Sequence, residues 1–124
     1  MSRPTDSDAT PARGCQHVPG VALRLSDPEA GALAASLKAL GHPVRLQIVD
    51  LLSRYGGQVC VCDVEQHFSL TQSTISHHLK VLREAGLVEA EQRGLWVYYR
   101  VLPATLASMR HLLEQWAQAR PVST

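Results

Sequence analysis

Residues 71–101 read TQSTISHHLKVLREAGLVEAEQRGLWVYYRV, and this stretch decides the fold. Thr71 is a typical helix N-cap, and Gly86 is a typical helix stop. Between them, Ile75, Leu79 and Leu82 recur at helical spacing and define one apolar face. The polar side chains fall on the opposite face. The first half of the stretch therefore predicts an amphipathic helix with one buried side.

The second half of the stretch predicts a β-hairpin. Two extended segments, at 87–92 and 95–101, flank Arg93-Gly94, a pair that favours a tight turn. A brief helix is expected near 63–68, before the amphipathic helix. Two short helices joined by a tight turn and followed by a hairpin form a winged helix-turn-helix. The predicted fold class is therefore mainly α with a small β-hairpin.

Helical patterns also flank this unit on both sides. Asp27 is expected as an N-cap before Pro28, with Gly41 closing that helix. A second helix restarts at Pro43 and ends before Gly56-Gly57, and an extended piece at 58–60 follows. Pro103 opens a last helix. The folded domain is thus expected to span residues 27–120, after a flexible tail at 1–26 that carries three of the seven prolines.

Composition narrows the class of protein. The chain has 124 residues, a mass of 13.6 kDa and a net charge of +1, which fits one domain and does not exclude a nucleic-acid binder. No apolar run approaches the roughly 20 residues of a membrane span, and the first residues lack a secretory pattern. We therefore expect a cytoplasmic protein without a membrane partner. Three cysteines in such a chain argue against a disulfide scaffold.

The amphipathic helix places small polar side chains in its first two turns, where a recognition helix meets base edges in the major groove. Gln72 can bond adenine in bidentate fashion, and hydroxyls can bond bases or phosphates. Lys80 is placed for a phosphate, and Arg93 at the hairpin turn for the minor groove or a phosphate. The predicted DNA-binding residues are Gln72, Ser73, Thr74, Ser76, His77, Lys80 and Arg93.

Four segments together resemble the ArsR/SmtB family of bacterial metal-responsive repressors. They are the LGHPVR stretch at 40–45, the LTQSTISHHLKVL stretch at 70–82, Gly86-Leu87-Val88, and Arg93-Gly94 with Tyr98-Tyr99. The resemblance covers about residues 28–119. It implies a homodimer through the first and last helices that binds an imperfect inverted repeat of operator DNA and leaves it when an inducer binds. The residues that match the interface helices are Leu33, Leu37, Leu106, Met109, Leu113 and Trp116.

The inducer is suggested by the segment VCVCDV at 59–64, which resembles the cysteine segment of the arsenic-responsive members of the family. There the cysteines bind trivalent arsenic or antimony. Trivalent arsenic favours three soft thiolates, and Cys60 and Cys62 supply two. Side chains two apart point about 200° apart on a regular helix, so the pair needs a helix end or extended chain to share one ion. Cys15 is the remaining thiol, and we predict a Cys15–Cys60–Cys62 site.

Other chemistries stay open at this point. A redox or persulfide sensor would join Cys15 to one of the pair, and a zinc site would combine Cys15, His17, Cys60 and Cys62. The family's zinc or cadmium site on the last helix is not expected. His111 and Glu114 match half of it, and Tyr98 and Arg100 stand where the other ligands belong. No catalytic constellation is evident, so the chain is not expected to be an enzyme. A pure protein-interaction domain is the last alternative.

Overall fold

The computed structural model describes residues 19–120; Cys15, His17 and the rest of the predicted tail up to residue 18 lie outside that range. Five helices and three strands follow one another in the predicted order. They are α1 (Asp27–Leu40), α2 (Pro43–Ser53), β1 (Val59–Cys60), α3 (Val61–Glu65), α4 (Gln72–Glu84), β2 (Val88–Arg93), β3 (Trp96–Val101) and α5 (Pro103–Ala117). No helix within residues 19–120 combines the length and the apolar character needed to cross a membrane.

The first helix begins one residue earlier than predicted, because Ser26 and not Asp27 is its N-cap. The Ser26 hydroxyl accepts from the Glu29 amide at 3.2 Å, and the Glu29 carboxylate accepts from the Ser26 amide at 2.9 Å. This reciprocal capping box requires an acidic or amide side chain three residues after the cap. Ser26 has Glu29 at that position, whereas Asp27 would have Ala30, which cannot reciprocate.

The three strands form one antiparallel sheet in the order β1-β3-β2. The turn between β2 and β3 lies one residue later than predicted, since Arg93 pairs with Trp96 and the two-residue loop is Gly94-Leu95. Gly94 takes φ +63°, a conformation that favours glycine. We call the β2–β3 hairpin the wing.

The core lies where α2, α3, α4 and the wing meet. Its fully buried large side chains are Ile48, Leu52, Val64, Ile75, Leu79, Leu82, Leu87 and Val88. The predicted inner face of α4 is thereby confirmed, and α4 is fixed with its polar face outward.

The predicted interface residues on α1 and α5 divide into two groups. Met109 is 5% exposed and belongs to the core of its own chain, with Leu33 and Leu106 packed against that core. The prediction is wrong for Met109: the four α5 residues share one helix face, but the part of that face with Leu106 and Met109 packs on the core of its own chain. Leu37, Leu113 and Trp116 expose 37%, 48% and 55% of their surface and remain available to a second subunit.

Candidate nucleic-acid interface and thiol site

The N-terminal turn of α4 is held by hydroxyl groups. Thr71 caps the helix by accepting from the Thr74 amide at 3.2 Å, and its hydroxyl lies 2.9 Å from the Thr74 hydroxyl and 3.2 Å from that of Ser73. The cap satisfies one of the free amides at the helix start. A short hydroxyl cluster therefore fixes the end of α4 that is expected to approach DNA.

Five of the six predicted DNA-binding residues of α4 share one face. Thr74 is partly buried, while the others, Gln72, Ser73, Ser76, His77 and Lys80, are exposed. Ile75 and Leu79 anchor the opposite side with no exposed surface. The arrangement leaves a small polar surface that a major groove can admit, with the lysine one to two turns behind the first contacts.

Arg93 does not lie at the tip of the wing, where the sequence pattern predicted it. It ends β2, and its guanidinium turns back along the sheet, donating to the Gly57 carbonyl at 3.2 Å and to Glu91 at 3.0 Å. The same group lies 4.5 Å from the centre of the Tyr98 ring, a cation–π distance. The tip carries Gly94-Leu95 instead, and a contact of Arg93 with DNA stays a prediction.

A buried histidine links α4 to α2. His78 is 6% exposed, its Nδ1 lies 3.2 Å from an Arg45 guanidinium nitrogen, and its ring centre lies 4.6 Å from that of His42. Arg45 also donates to the Ala39 carbonyl, so it joins the end of α1 to α4. Burial lowers the pKa of His78, and the charges of His42, Arg45 and His77 lower it further.

The lowered pKa of His78 predicts a pH-dependent stability. In the unfolded chain a histidine takes up a proton near pH 6.5, whereas His78 in the native protein takes one up only at lower pH. Proton uptake therefore favours the unfolded chain, so the free energy of unfolding has its full value above pH 6.5 and decreases as the pH falls below that value. We expect the urea midpoint to drop less between pH 7 and pH 5 in His78→Gln than in the wild type. The control is His67→Gln, because this exposed histidine is not among the charges that act on His78 and its loss should keep the wild-type pH profile. Equal profiles for all three proteins would contradict this account.

The cysteine pair lies at the junction of β1 and α3. Cys60 is the extended N-cap of α3, with φ −92° and ψ 166°, and Cys62 lies in the first turn. The change from extended to helical backbone lets side chains two apart converge, and the two sulfurs are joined as a disulfide. The pair thus lies at a helix end, the location that helical geometry requires for a shared ion. The helix runs over Val61–Glu65 rather than near 63–68, which places the cysteines at its start.

Asp63 is the residue of this site that the sequence pattern did not reveal. Its carboxylate accepts from the Cys60 amide at 3.0 Å, and a carboxylate oxygen lies within 4.8 Å of both sulfurs. An acidic residue three positions after an extended N-cap was the available signal. Within residues 19–120, these three side chains form the one group of potential metal ligands, and Cys60 is almost fully buried.

Comparison with known proteins links this geometry to a family of regulators. A sequence model described as "Bacterial regulatory protein, arsR family" matches residues 42–90, which include the thiol pair and α4. The chain is 37% identical over 82 residues to an uncharacterized HTH-type transcriptional regulator of Methanocaldococcus jannaschii, with 66% of this chain and 91% of that protein covered.

An arsenical resistance operon repressor of Staphylococcus aureus is 40% identical over 74 residues, with 60% of this chain and 69% of the repressor covered. Three further arsenical resistance repressors match over 56–58% of their own length. Among solved structures, the homodimeric winged helix-turn-helix DNA-binding domain of a possible ArsR-family regulator from Mycobacterium bovis superposes with a TM-score of 0.58. It is 33% identical, with 76% of this chain and 88% of that domain covered.

Proposed function

We propose that this chain, which belongs to the arsR family of bacterial regulatory proteins, is a repressor that releases its operator when trivalent arsenic or antimony binds its cysteine thiolates. The family and the winged helix-turn-helix fold are those of DNA-binding transcriptional regulators, and the chain is not an enzyme. The arsenical inducer, the operator and the thiolate site are the parts that go beyond family membership.

The main support for an arsenic or antimony inducer is that the side chains of Cys60, Cys62 and Asp63 converge at the start of α3. Soft thiolates are the donors that a thiophilic metalloid prefers, and a helix N-terminus lowers the pKa of a thiol placed there. The disulfide must first be reduced, since a sulfur bonded to sulfur offers no thiolate. We propose Cys15, which lies outside the described residues, as the third thiolate.

The DNA-binding part of the proposal rests on α4. Its exposed face would enter the major groove with Gln72, Ser73 and Ser76 at base edges and Lys80 at a phosphate. A second subunit packed on α1 and α5 would cover Leu37, Leu113 and Trp116 and present a second α4. Two recognition helices related by a two-fold axis require an inverted repeat.

The test begins with the reduced protein and a DNA duplex that it selects from a random library. We expect arsenite to lower the affinity for this duplex about 5- to 150-fold, the usual range of allosteric coupling. X-ray absorption should count three sulfurs around each arsenic, at one arsenic per subunit. Unchanged duplex affinity would refute the inducer assignment. A sulfur count of two would remove Cys15 from the site and leave Cys60 and Cys62.

The disulfide itself supports a second candidate, a thiol redox switch made of Cys60 and Cys62. A hydroperoxide would oxidise the two thiols, which lose two electrons and two protons, and would itself become an alcohol and water. The sequence alone favoured Cys15 as a member of such a bond, whereas the structure joins the pair to each other. Release of the selected duplex by peroxide, without metalloid and reversed by a dithiol, would favour this candidate.

A further inference from the structure

The cysteine pair and the wing belong to the same sheet. We call residues 57–63 the thiol segment. Its strand β1 pairs with the central strand β3, with Val59 opposite Tyr99 and Cys60 opposite Tyr98. β3 is also the second strand of the wing, paired along its whole length with β2. A displacement of Cys60 therefore acts directly on β3, a strand of the wing, through backbone hydrogen bonds.

A side-chain contact links the thiol segment to β2, the other strand of the wing. Arg93, the last residue of β2, donates to the carbonyl of Gly57, the first residue of the thiol segment, at 3.2 Å. Its guanidinium also lies over the ring of Tyr98, the residue opposite Cys60. One wing arginine thus contacts the first residue of the thiol segment and the tyrosine that lies opposite Cys60 in the sheet.

Gly57 has a backbone conformation that favours glycine and lies next to two arginine side chains of the wing. Gly57 has φ +89°, and a Cβ added to it would lie 3.6 Å from the Arg100 side chain and 4.0 Å from the Arg93 guanidinium. Arg100 is itself ion-paired with Glu89 on the neighbouring strand. Two arginines of the wing therefore lie beside the Gly57 backbone, and a shift of Gly57 would change its bond to Arg93.

We propose that Arg93 is a positioning residue that couples the cysteine pair to the wing. The inference rests on the proposed function. A dithiol first reduces the disulfide, supplying two electrons and two protons. Arsenous acid then exchanges two of its hydroxyl groups, which leave as water with the thiol protons, for the two thiolates. Binding to one arsenic draws both sulfurs to a shared atom and displaces Cys60 from its place in the reduced protein. The displacement of Cys60 passes along the short segment to Gly57, breaks its bond to Arg93, and releases the wing from its position beside α4.

The test measures the coupling ratio, which is the affinity for the selected duplex without arsenite divided by the affinity with it. If Arg93 contacted DNA directly, its substitution would lower both affinities, and the loss would cancel in this ratio. We expect Arg93→Lys, which keeps the charge but not the planar fork, to bring the ratio from the wild-type value to within about twofold of one. By reciprocity, DNA-bound Arg93→Lys should then bind arsenite as tightly as free Arg93→Lys does.

Two controls separate coupling from simple loss of affinity. Lys80→Ala should lower the affinity for the duplex in both states and leave the ratio at its wild-type value. Glu91→Gln removes the charge of the second Arg93 partner but leaves Gly57 in place, and should also keep the ratio. A wild-type ratio in Arg93→Lys would overturn the coupling role while the proposed function stands. A wild-type protein with a ratio of one would overturn both.

Discussion

Replacing Cys62 with serine should abolish the response to arsenite while operator binding persists. Cys62 lies in the first turn of α3 and outside the buried cluster that fixes α4, so the recognition surface should be preserved. A serine hydroxyl is a poor ligand for a soft metalloid, and without Cys62 no pair of thiolates holds the arsenic at the start of α3, even if Cys15 and Cys60 still bind it. The coupling ratio should fall from its wild-type value to about one, a loss of roughly 1–3 kcal/mol of coupling free energy.

The matched control is Cys15→Ser, measured by the ultraviolet sulfur-to-arsenic absorption band and by release of the duplex. If Cys15 supplies the third thiolate, its loss weakens the band and the arsenite affinity but leaves a two-sulfur site. Wild-type intensity and affinity in Cys15→Ser would exclude the three-thiolate site. Full arsenite response in Cys62→Ser would exclude the pair itself, and with it the assignment of the inducer.

The elements with a strong hydrophobic periodicity could be predicted from the sequence. The apolar spacing along α4 predicted its buried face, and Thr71 and Gly86 marked its limits, because capping and periodicity are local properties. The boundaries of α3 were not accessible in this way. A five-residue helix has too little periodicity to read, and its start depends on the bond between the Asp63 carboxylate and the Cys60 amide.

The wing shows why side-chain roles were harder to predict than strands. Arg93-Gly94 indicated a turn, but the loop is Gly94-Leu95, and the shift of one residue returns Arg93 to the sheet. Its partner Gly57 lies 36 residues away along the chain, and Arg45 lies 33 residues from His78. Contacts over such separations depend on how the helices and the sheet pack, which no local pattern contains.

Substitutions of two adjacent residues on opposite faces of α4 should have different effects: one should lower the stability of the fold, and the other should weaken DNA binding. Leu79 has no exposed surface, and Leu79→Ala removes buried methyl groups and leaves a cavity in the core. We expect the free energy of unfolding to fall by about 3 kcal/mol, a large part of the roughly 5–15 kcal/mol typical of a domain. A urea titration should show a lower midpoint with an unchanged slope.

Lys80, the next residue, is exposed and should behave in the opposite way. Lys80→Ala should change the free energy of unfolding by less than about 0.5 kcal/mol, since it removes no buried surface. The substitution should instead affect DNA binding, because it removes one phosphate contact per subunit. The affinity should fall for all DNA sequences, and the slope of log affinity against log salt concentration should be reduced by about one per subunit. An unchanged salt slope would place Lys80 away from the phosphates. A destabilisation equal to that of Leu79→Ala would mean that Lys80 faces the core and that α4 is rotated from the orientation described above.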